Sequence, residues 1–266
     1  MSTTAGKRVW RALNSTQRYG ARLALTWRKL LLPRGDCVFV AAMPKSGSSF
    51  LVKALAEATG HTQMFLGYDH LNEQDLYLPR LIDSWGQDIV VHQHLRVTQA
   101  NLDVLKVFGI RPVVLRRDLP DALVSLADHL NTESLATAAV TMPPEYRTWP
   151  RTRQLQAVID LAAPWYVQFM AGWEASAAEA DALVVDYADV VADPASAVAD
   201  VLDHYRIERS AADIEAAVAR ARNGAVRFNQ GIAGRGAAEF SPEQLARLIE
   251  LKRHYPALQP DLAETA

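Results

Sequence analysis

Cysteine is nearly missing from this chain: Cys37 is the only one among 266 residues. That excludes an intramolecular disulfide and any metal site built from several thiolates, and it fits a reducing compartment. A long apolar run is also missing. Nothing approaches the roughly 18 consecutive apolar residues a membrane-spanning helix needs, and Arg28 and Lys29 interrupt the only stretch that resembles the apolar core of a signal peptide. A surplus of one charge is absent too. Twenty-eight Lys and Arg stand against 30 Asp and Glu, a formal net charge of −2, so no global basic field points to nucleic acid. There is no internal repeat and no low-complexity linker, and no motif calls for a metal. What remains is half hydrophobic and 22% charged, the balance of a globular, water-soluble and by expectation cytoplasmic protein. The length suits one large α/β domain, expected over residues 35–266.

The charge is unevenly spread. Residues 1–35 hold Lys7, Arg8, Arg11, Arg18, Arg22, Arg28, Lys29 and Arg34 and no acid, interleaved with Trp10, Leu13, Leu23, Leu25, Trp27 and Leu30 to Leu32. Residues 1–34 therefore read as a basic amphipathic appendage. Its alternatives are a helix packed on the domain and a segment in peripheral contact with an anionic membrane surface through residues 1–32.

Four short runs rich in Val, Ile and Leu, without alternation, read as strands covered on both faces: Cys37 to Ala42, Ile89 to His92, Pro112 to Leu115 and Ala182 to Val185. Helical patterns separate and follow them, at Ser48 to Thr59, Thr98 to Phe108, Pro120 to Leu130, Arg153 to Ala180, Pro194 to Tyr205, Ala211 to Asn223 and Pro242 to Tyr255. Strands alternating with helices predict an α/β fold, a doubly wound parallel sheet flanked by helices. Ligands of such sheets bind beyond the carboxyl ends of the strands. Polar residues follow each run in turn: Lys45; His92 and His94; Arg116 and Arg117; Asp186 and Tyr187.

The first of these is the most informative. Val38 to Leu51 reads as strand, turn and helix, and the turn holds Lys45, Ser46, Gly47, Ser48 and Ser49. Unpaired N–H groups at a helix start, a glycine admitting close approach, a lysine charge and serine hydroxyls together suit a phosphate or sulfate. The turn has no Gly-Lys-Ser and a single glycine, so it is not a Walker loop. After the third strand, Asp118 can cap a helix that opens with Pro120. Arg117 then lies just before the helix start with Ser125 about two turns in, a pair able to grip a second phosphate.

The segment P-K-S-G-S-S-F, Pro44 to Phe50, resembles the P-K-S-G-T-T-W loop of sulfotransferases that use 3′-phosphoadenosine 5′-phosphosulfate (PAPS). Residues 113–125 resemble that family's R-x-P-x-D-x-x-x-S, with arginine and serine eight apart. The match implies that Arg117 and Ser125 hold the donor's 3′-phosphate, Arg116 being the alternative, although the proline has moved to Pro120. V-V-H-Q-H-L-R, Val90 to Arg96, resembles K-T-H-L-P and implies that His94 is the catalytic base, with His92 or a carboxylate such as Glu73 as alternatives. The stretch from Arg227 to Gly236 resembles R-K-G-x-x-G-D-W. It matches Gly231 and Gly234, leaves open whether Arg227 or Arg235 meets the phosphate, and continues into Phe240, Ser241 and Gln244. Val184 to Pro194 resembles the strand that ends in Y-E-D-x-x-x-D-P. This implies that Tyr187 contacts adenine, with Phe50 as the other candidate to pack on the base.

The resemblance covers roughly residues 37 to 255 and implies a P-loop-like sulfotransferase fold. It implies catalysis by His94 and Lys45, with Lys45 to Phe50 around the 5′-phosphosulfate. PAPS is then the co-substrate, no metal is needed, and the acceptor is a lipid, natural product or carbohydrate. Segments 61–88 and 131–164 are expected to form the acceptor pocket and lid. Their aromatic residues point to an apolar acceptor, and Arg147, Arg151 and Arg153 to an anionic sugar. The rival readings are a phosphotransferase of related fold that uses ATP with magnesium, and a nucleotide-binding protein without turnover.

Overall fold

A computed structural model of the chain describes residues 31–69, 73–223 and 234–258, together with Gly20, Leu23, Thr26 and Trp27. Most of the basic amphipathic appendage, and Arg227 and Gly231, lie outside the described residues.

The apolar runs become β1 (Cys37–Ala42), β3 (Ile89–Gln93), β4 (Val113–Arg116) and β5 (Leu183–Asp186), within one residue of their expected bounds. A fifth strand, β2 (Thr62–Met64), was not expected. It is three polar or half-exposed residues long and pairs only with β3, so it carries neither the length nor the apolar run of a buried strand. All pairings are parallel, in the order β2-β3-β1-β4-β5. β1 is central and buries Val38 to Ala42 completely. Each large apolar side chain so buried contributes about 1.5–3 kcal/mol.

Successive side chains of a strand point to opposite faces, and the core accordingly divides in two. Phe39, Ala41, Val91 and Val114 join one cluster, while Val38, Val40, Val90 and Val113 join the other. The second face is covered by α1 (Ser48–Thr59), α7 (Tyr187–Ala192), α8 (Pro194–Tyr205) and α9 (Ala211–Asn223). The first is covered by α2 (Leu78–Asp83), α3 (Gln99–Phe108), α4 (Leu119–Thr132), α5 (Arg151–Leu161), α6 (Ala163–Ser176) and α11 (Pro242–Arg253), with α10 (Arg235–Glu239) between α9 and α11 in the chain. Helices on both faces of a parallel sheet are the doubly wound arrangement the alternation predicts.

One expected element is corrected. The single helix over Arg153 to Ala180 is two, α5 and α6, divided at Ala162. Pro164 has no N–H to continue α5, and it is tolerated in the first turn of α6. Among the described residues no helix is long and apolar enough to cross a membrane.

Candidate functional site

The turn between β1 and α1 is tightly specified. Lys45 adopts a left-handed backbone, φ 63°, at a cost of roughly 1–2 kcal/mol for a residue with a side chain. Gly47 caps α1 at φ 80°. A Cβ there would lie 2.7 Å from Cε2 of Tyr187, so both backbone angle and space require glycine. The first bonds closing onto the cap run from the Phe50 and Leu51 N–H groups to the Gly47 carbonyl, at 3.1 and 3.3 Å. The N–H groups of Ser48 and Ser49 precede them and stay available at the positive end of the helix dipole. Ser48 is buried and Ser49 exposed.

Two residues expected to bind the donor face elsewhere. The Ser46 hydroxyl donates to the Met43 carbonyl at 2.6 Å and its N–H to the same oxygen at 3.2 Å. Both donors thus fix the turn and neither faces a ligand. Phe50 is 3% exposed within the apolar cluster under β1, because the third residue after the α1 cap points into the core. It packs there and offers no open ring to a base.

Arg116 and Arg117 have different environments. Parallel pairing sets Arg116 opposite Asp186. Its guanidinium donates to both Asp186 oxygens at 2.7 and 3.3 Å and to Glu174 at 3.2 Å. Arg117, one residue past the strand, turns toward the lysine turn instead, and its Nη1 donates to the Lys45 carbonyl at 2.8 Å. Its Cζ sits 4.3 Å from the centre of the Tyr187 ring, a cation–π contact. Its Nε is buried without a protein partner among the described residues. Tyr187, the first residue of α7, is therefore wedged between Gly47 and Arg117 and locks the two together.

His94 lies just beyond β3. Its Nδ1 is 2.7 Å from the carbonyl oxygen of Ala42, the last residue of β1. A carbonyl only accepts, so Nδ1 carries the proton and Nε2 presents its lone pair. Nε2 is 4.0 Å from Oε1 of Glu73. Burial, with a further contribution from the nearby Lys45 charge, pushes the imidazole down to about 4, against the opposing pull of the Ala42 carbonyl. Burial pushes Glu73 up to about 7, against the opposing influence of the nearby His94 backbone. The His92 ring packs edge-on to His94 with centroids 4.9 Å apart. The Trp165 ring of α6 lies 6.5 Å from His94 and donates its indole N–H to Gln74 Oε1 at 3.0 Å.

The carboxyl-terminal segment is tied to the start of α4. Asp118 caps that helix, accepting from the Asp121 N–H at 3.0 Å, as the sequence predicts. Asp121, 3% exposed, accepts from the Gly234 N–H at 2.8 Å and the Gly236 N–H at 2.7 Å. A Cβ on Gly236 would come within 2.4 Å of the Pro120 backbone, so glycine permits this contact. Ser125 is buried one helical turn beyond Asp121 on the same side of α4. Arg235 is one of the two arginines read as a possible phosphate ligand, but Asp128 and Glu239 hold it, each at 3.0 Å. Arg151 joins the same carboxylates at 2.8 and 2.6 Å. A bound phosphate would have to displace those partners. Ser241 and Gln244 form a reciprocal capping box at the start of α11.

Of the other arginines read as possible sugar contacts, Arg147 donates to the Glu133 carbonyl at 3.2 Å, while Arg153 lies over Trp149 at 4.0 Å. Sequence reasoning missed Asp121 as the anchor of the carboxyl-terminal segment and Gln74 as the partner of Trp165. No local pattern marks either, because the partners are 113 and 91 residues away.

No protein-family model matches the chain, and no curated protein matches its sequence. Solved structures match its fold. Mouse sulfotransferase SULT7A1 complexed with PAP superposes with a TM-score of 0.63 at 13% identity, over 87% of this chain and 88% of that one. Retinol dehydratase in complex with androsterone and the inactive cofactor PAP gives 0.61 at 15% identity, over 84% and 81%. Retinol dehydratase with retinol and PAP gives 0.59 at 15%, over 85% and 82%. The α/β fold of this chain is thus a sulfotransferase fold.

Proposed function

We propose that the chain is a PAPS-dependent sulfotransferase that moves a sulfuryl group to the hydroxyl of a small, largely apolar acceptor such as a lipid or natural product. The observation that carries this reading is the hydrogen bond from Arg117 to the Lys45 carbonyl across the Tyr187 ring. It joins the two anion-binding elements, 72 residues apart in sequence, at one end of the sheet. The residues fit the donor: the buried Arg117 Nε lacks a partner among the described residues, the Ser48 and Ser49 N–H groups are open, and Gly47 keeps the turn clear of a side chain.

PAPS, when bound, supplies a sulfuryl group activated by its phosphate leaving group. Lys45 and the N–H groups of Ser48 and Ser49 would hold the 5′ end and balance the negative charge that grows there. Arg117, with Ser125 deeper in α4, would hold the 3′-phosphate through charge-assisted bonds. His94, its tautomer fixed by Ala42, would accept the acceptor's proton at Nε2. Arg151 and Arg235 serve the ion-pair cluster, which leaves an anionic sugar fewer partners. The apolar ligands in two of the matched structures support the same choice of acceptor.

Thermal shift with adenosine 3′,5′-bisphosphate (PAP) beside ATP–magnesium tests this. Stabilisation by PAP is the expected result, and stabilisation by ATP–magnesium alone would overturn it in favour of a phosphotransferase. Sulfuryl transfer from PAPS across a panel of sterols, phenols and sugars would then identify the acceptor, with His94→Ala as the inactive control.

A further inference from the structure

We propose that Glu73 and His94 work as one proton-handling pair, in which Nε2 of His94 receives the acceptor's proton and the ionised Glu73 carboxylate supplies the balancing charge. This deepens the sulfotransferase reading and rests on it. His94 has one ring nitrogen committed to Ala42 and the other directed at Glu73. The 4.0 Å separation is too long for a direct hydrogen bond, so Glu73 does not consume the lone pair. It is short for a Coulomb interaction, and the side chains are only 14% and 12% exposed, so water screens the pair weakly.

Glu73 is positioned by the framework. Its neighbours Gln74 and Asp75 are held from several directions. The Gln74 carbonyl accepts from the Arg96 N–H and the Asn101 side chain, both at 3.1 Å. The Gln74 side chain donates to the Ala138 carbonyl at 2.6 Å and accepts from Trp165 at 3.0 Å. The Asp75 carbonyl accepts from the Gln93 side chain at 2.9 Å.

The charged and titratable groups set against His94 are Lys45 from the turn after β1, His92 from β3 itself, and Glu73. From α6 comes the neutral Trp165. Burial and Lys45 both oppose an imidazolium here, and among the described residues Glu73 is the acid in contact. With Glu73 near 7 and His94 near 4, the pair's proton rests on the carboxyl between those values and leaves as the pH rises through about 7. In the transfer, the acceptor's O–H bond breaks and its electron pair becomes the new O–S bond. The proton goes to Nε2, and the old S–O pair departs with the phosphate oxygen. The ionised carboxylate then faces the imidazolium. Glu73 is a positioning residue that acts through His94.

NMR of the imidazole groups in the full chain saturated with PAP tests this without knowledge of the acceptor, with His94→Gln assigning the signal. The His94 resonances are expected to shift once near pH 7, reporting Glu73, with Nδ1 protonated throughout. That step should vanish in Glu73→Gln, with the tautomer and the PAP thermal shift preserved, and persist in Glu73→Asp. With a panel acceptor, Glu73→Gln should lower kcat by roughly 10- to 100-fold, leave KM for PAPS nearly unchanged and flatten the acid limb near neutrality. A step that survives in Glu73→Gln, or none in the parent chain, overturns the pair. Failure of PAP to bind the parent chain overturns the sulfotransferase reading instead.

Discussion

The turn after β1 and the stretch from Glu73 to Tyr77, which packs against β3 and the start of α3, are built in opposite ways. The turn is defined by neighbours in sequence: the left-handed Lys45 and Gly47, the helix start at Ser48, and the bonds of Ser46 back to Met43. The second segment is held by distant side chains, from Gln93, Asn101 and Trp165, with Gln74 reaching Ala138. An oxyanion is the same whatever molecule carries it, so a short local motif can grip it. If the second segment forms the acceptor wall, as proposed, it must change with the acceptor, and its contacts with distant residues leave the turn out of that change.

The largest expected effect lies on the turn. Lys45→Ala should lower turnover by roughly 10²–10³ fold. Arg117→Ala should weaken PAP by about 10- to 100-fold, as loss of a charge-assisted bond implies, read by calorimetry. Arg116→Ala, beside it but already paired with Asp186 and Glu174, should leave PAP affinity within about threefold and act on stability. Equal losses from the two arginines would break the distinction drawn between them.

Next comes Gly47→Ala. The left-handed backbone and the approach to Tyr187 should together cost about 1–3 kcal/mol of stability and abolish the PAP-induced thermal shift. A variant that keeps both would show that the turn is looser than its geometry.

The segment after β2 is probed by acid. His94, lowered from 6.5 to about 4, contributes stability that is present above 6.5 and lost as the pH falls through 4. Glu73, raised from 4.5 to about 7, contributes stability that is present below 4.5 and lost as the pH rises through 7. Between about 4.5 and 6.5 the two oppose each other, and the parent chain should show little pH dependence from this pair. Glu73→Gln should uncover a loss on acidification from 6.5 toward 4, and His94→Gln a loss on raising the pH from 4.5 toward 7. Each should be on the order of 1–3 kcal/mol in urea unfolding. The smallest effect belongs to the cluster of Arg151, Arg235, Asp128 and Glu239. These side chains are about a third exposed, so Glu239→Gln should cost about 1 kcal/mol or less, and less still at high salt.

The same contrast explains what the sequence made legible. Four strands, the lysine turn, the Asp118 cap and the order of polar residues after each strand are local patterns, and the structure reproduces them. β2 escaped because Thr62, Gln63 and Met64 carry no apolar run, and the break between α5 and α6 escaped because the helical pattern runs through Pro164. The choice between Arg116 and Arg117 needs the register that sets Arg116 against Asp186, and one chain segment does not reveal its partner's register. Ser46, Phe50 and Arg235 carry the right residue types for a donor site, but their side chains are committed to Met43, the core and two carboxylates. Composition and spacing do not show which way a side chain turns.

The bond from His94 to Ala42 gives the imidazole and the lysine a shared datum. Both are measured from the tip of β1, one through a hydrogen bond and the other through three residues of chain. Strain that shifts this strand tip carries base and lysine together and leaves their spacing intact, whereas a residue inserted between Ala42 and Lys45 would move one without the other. In the proposed sulfotransferase, the reach between proton acceptor and anion clamp would therefore be set by the length of that tripeptide.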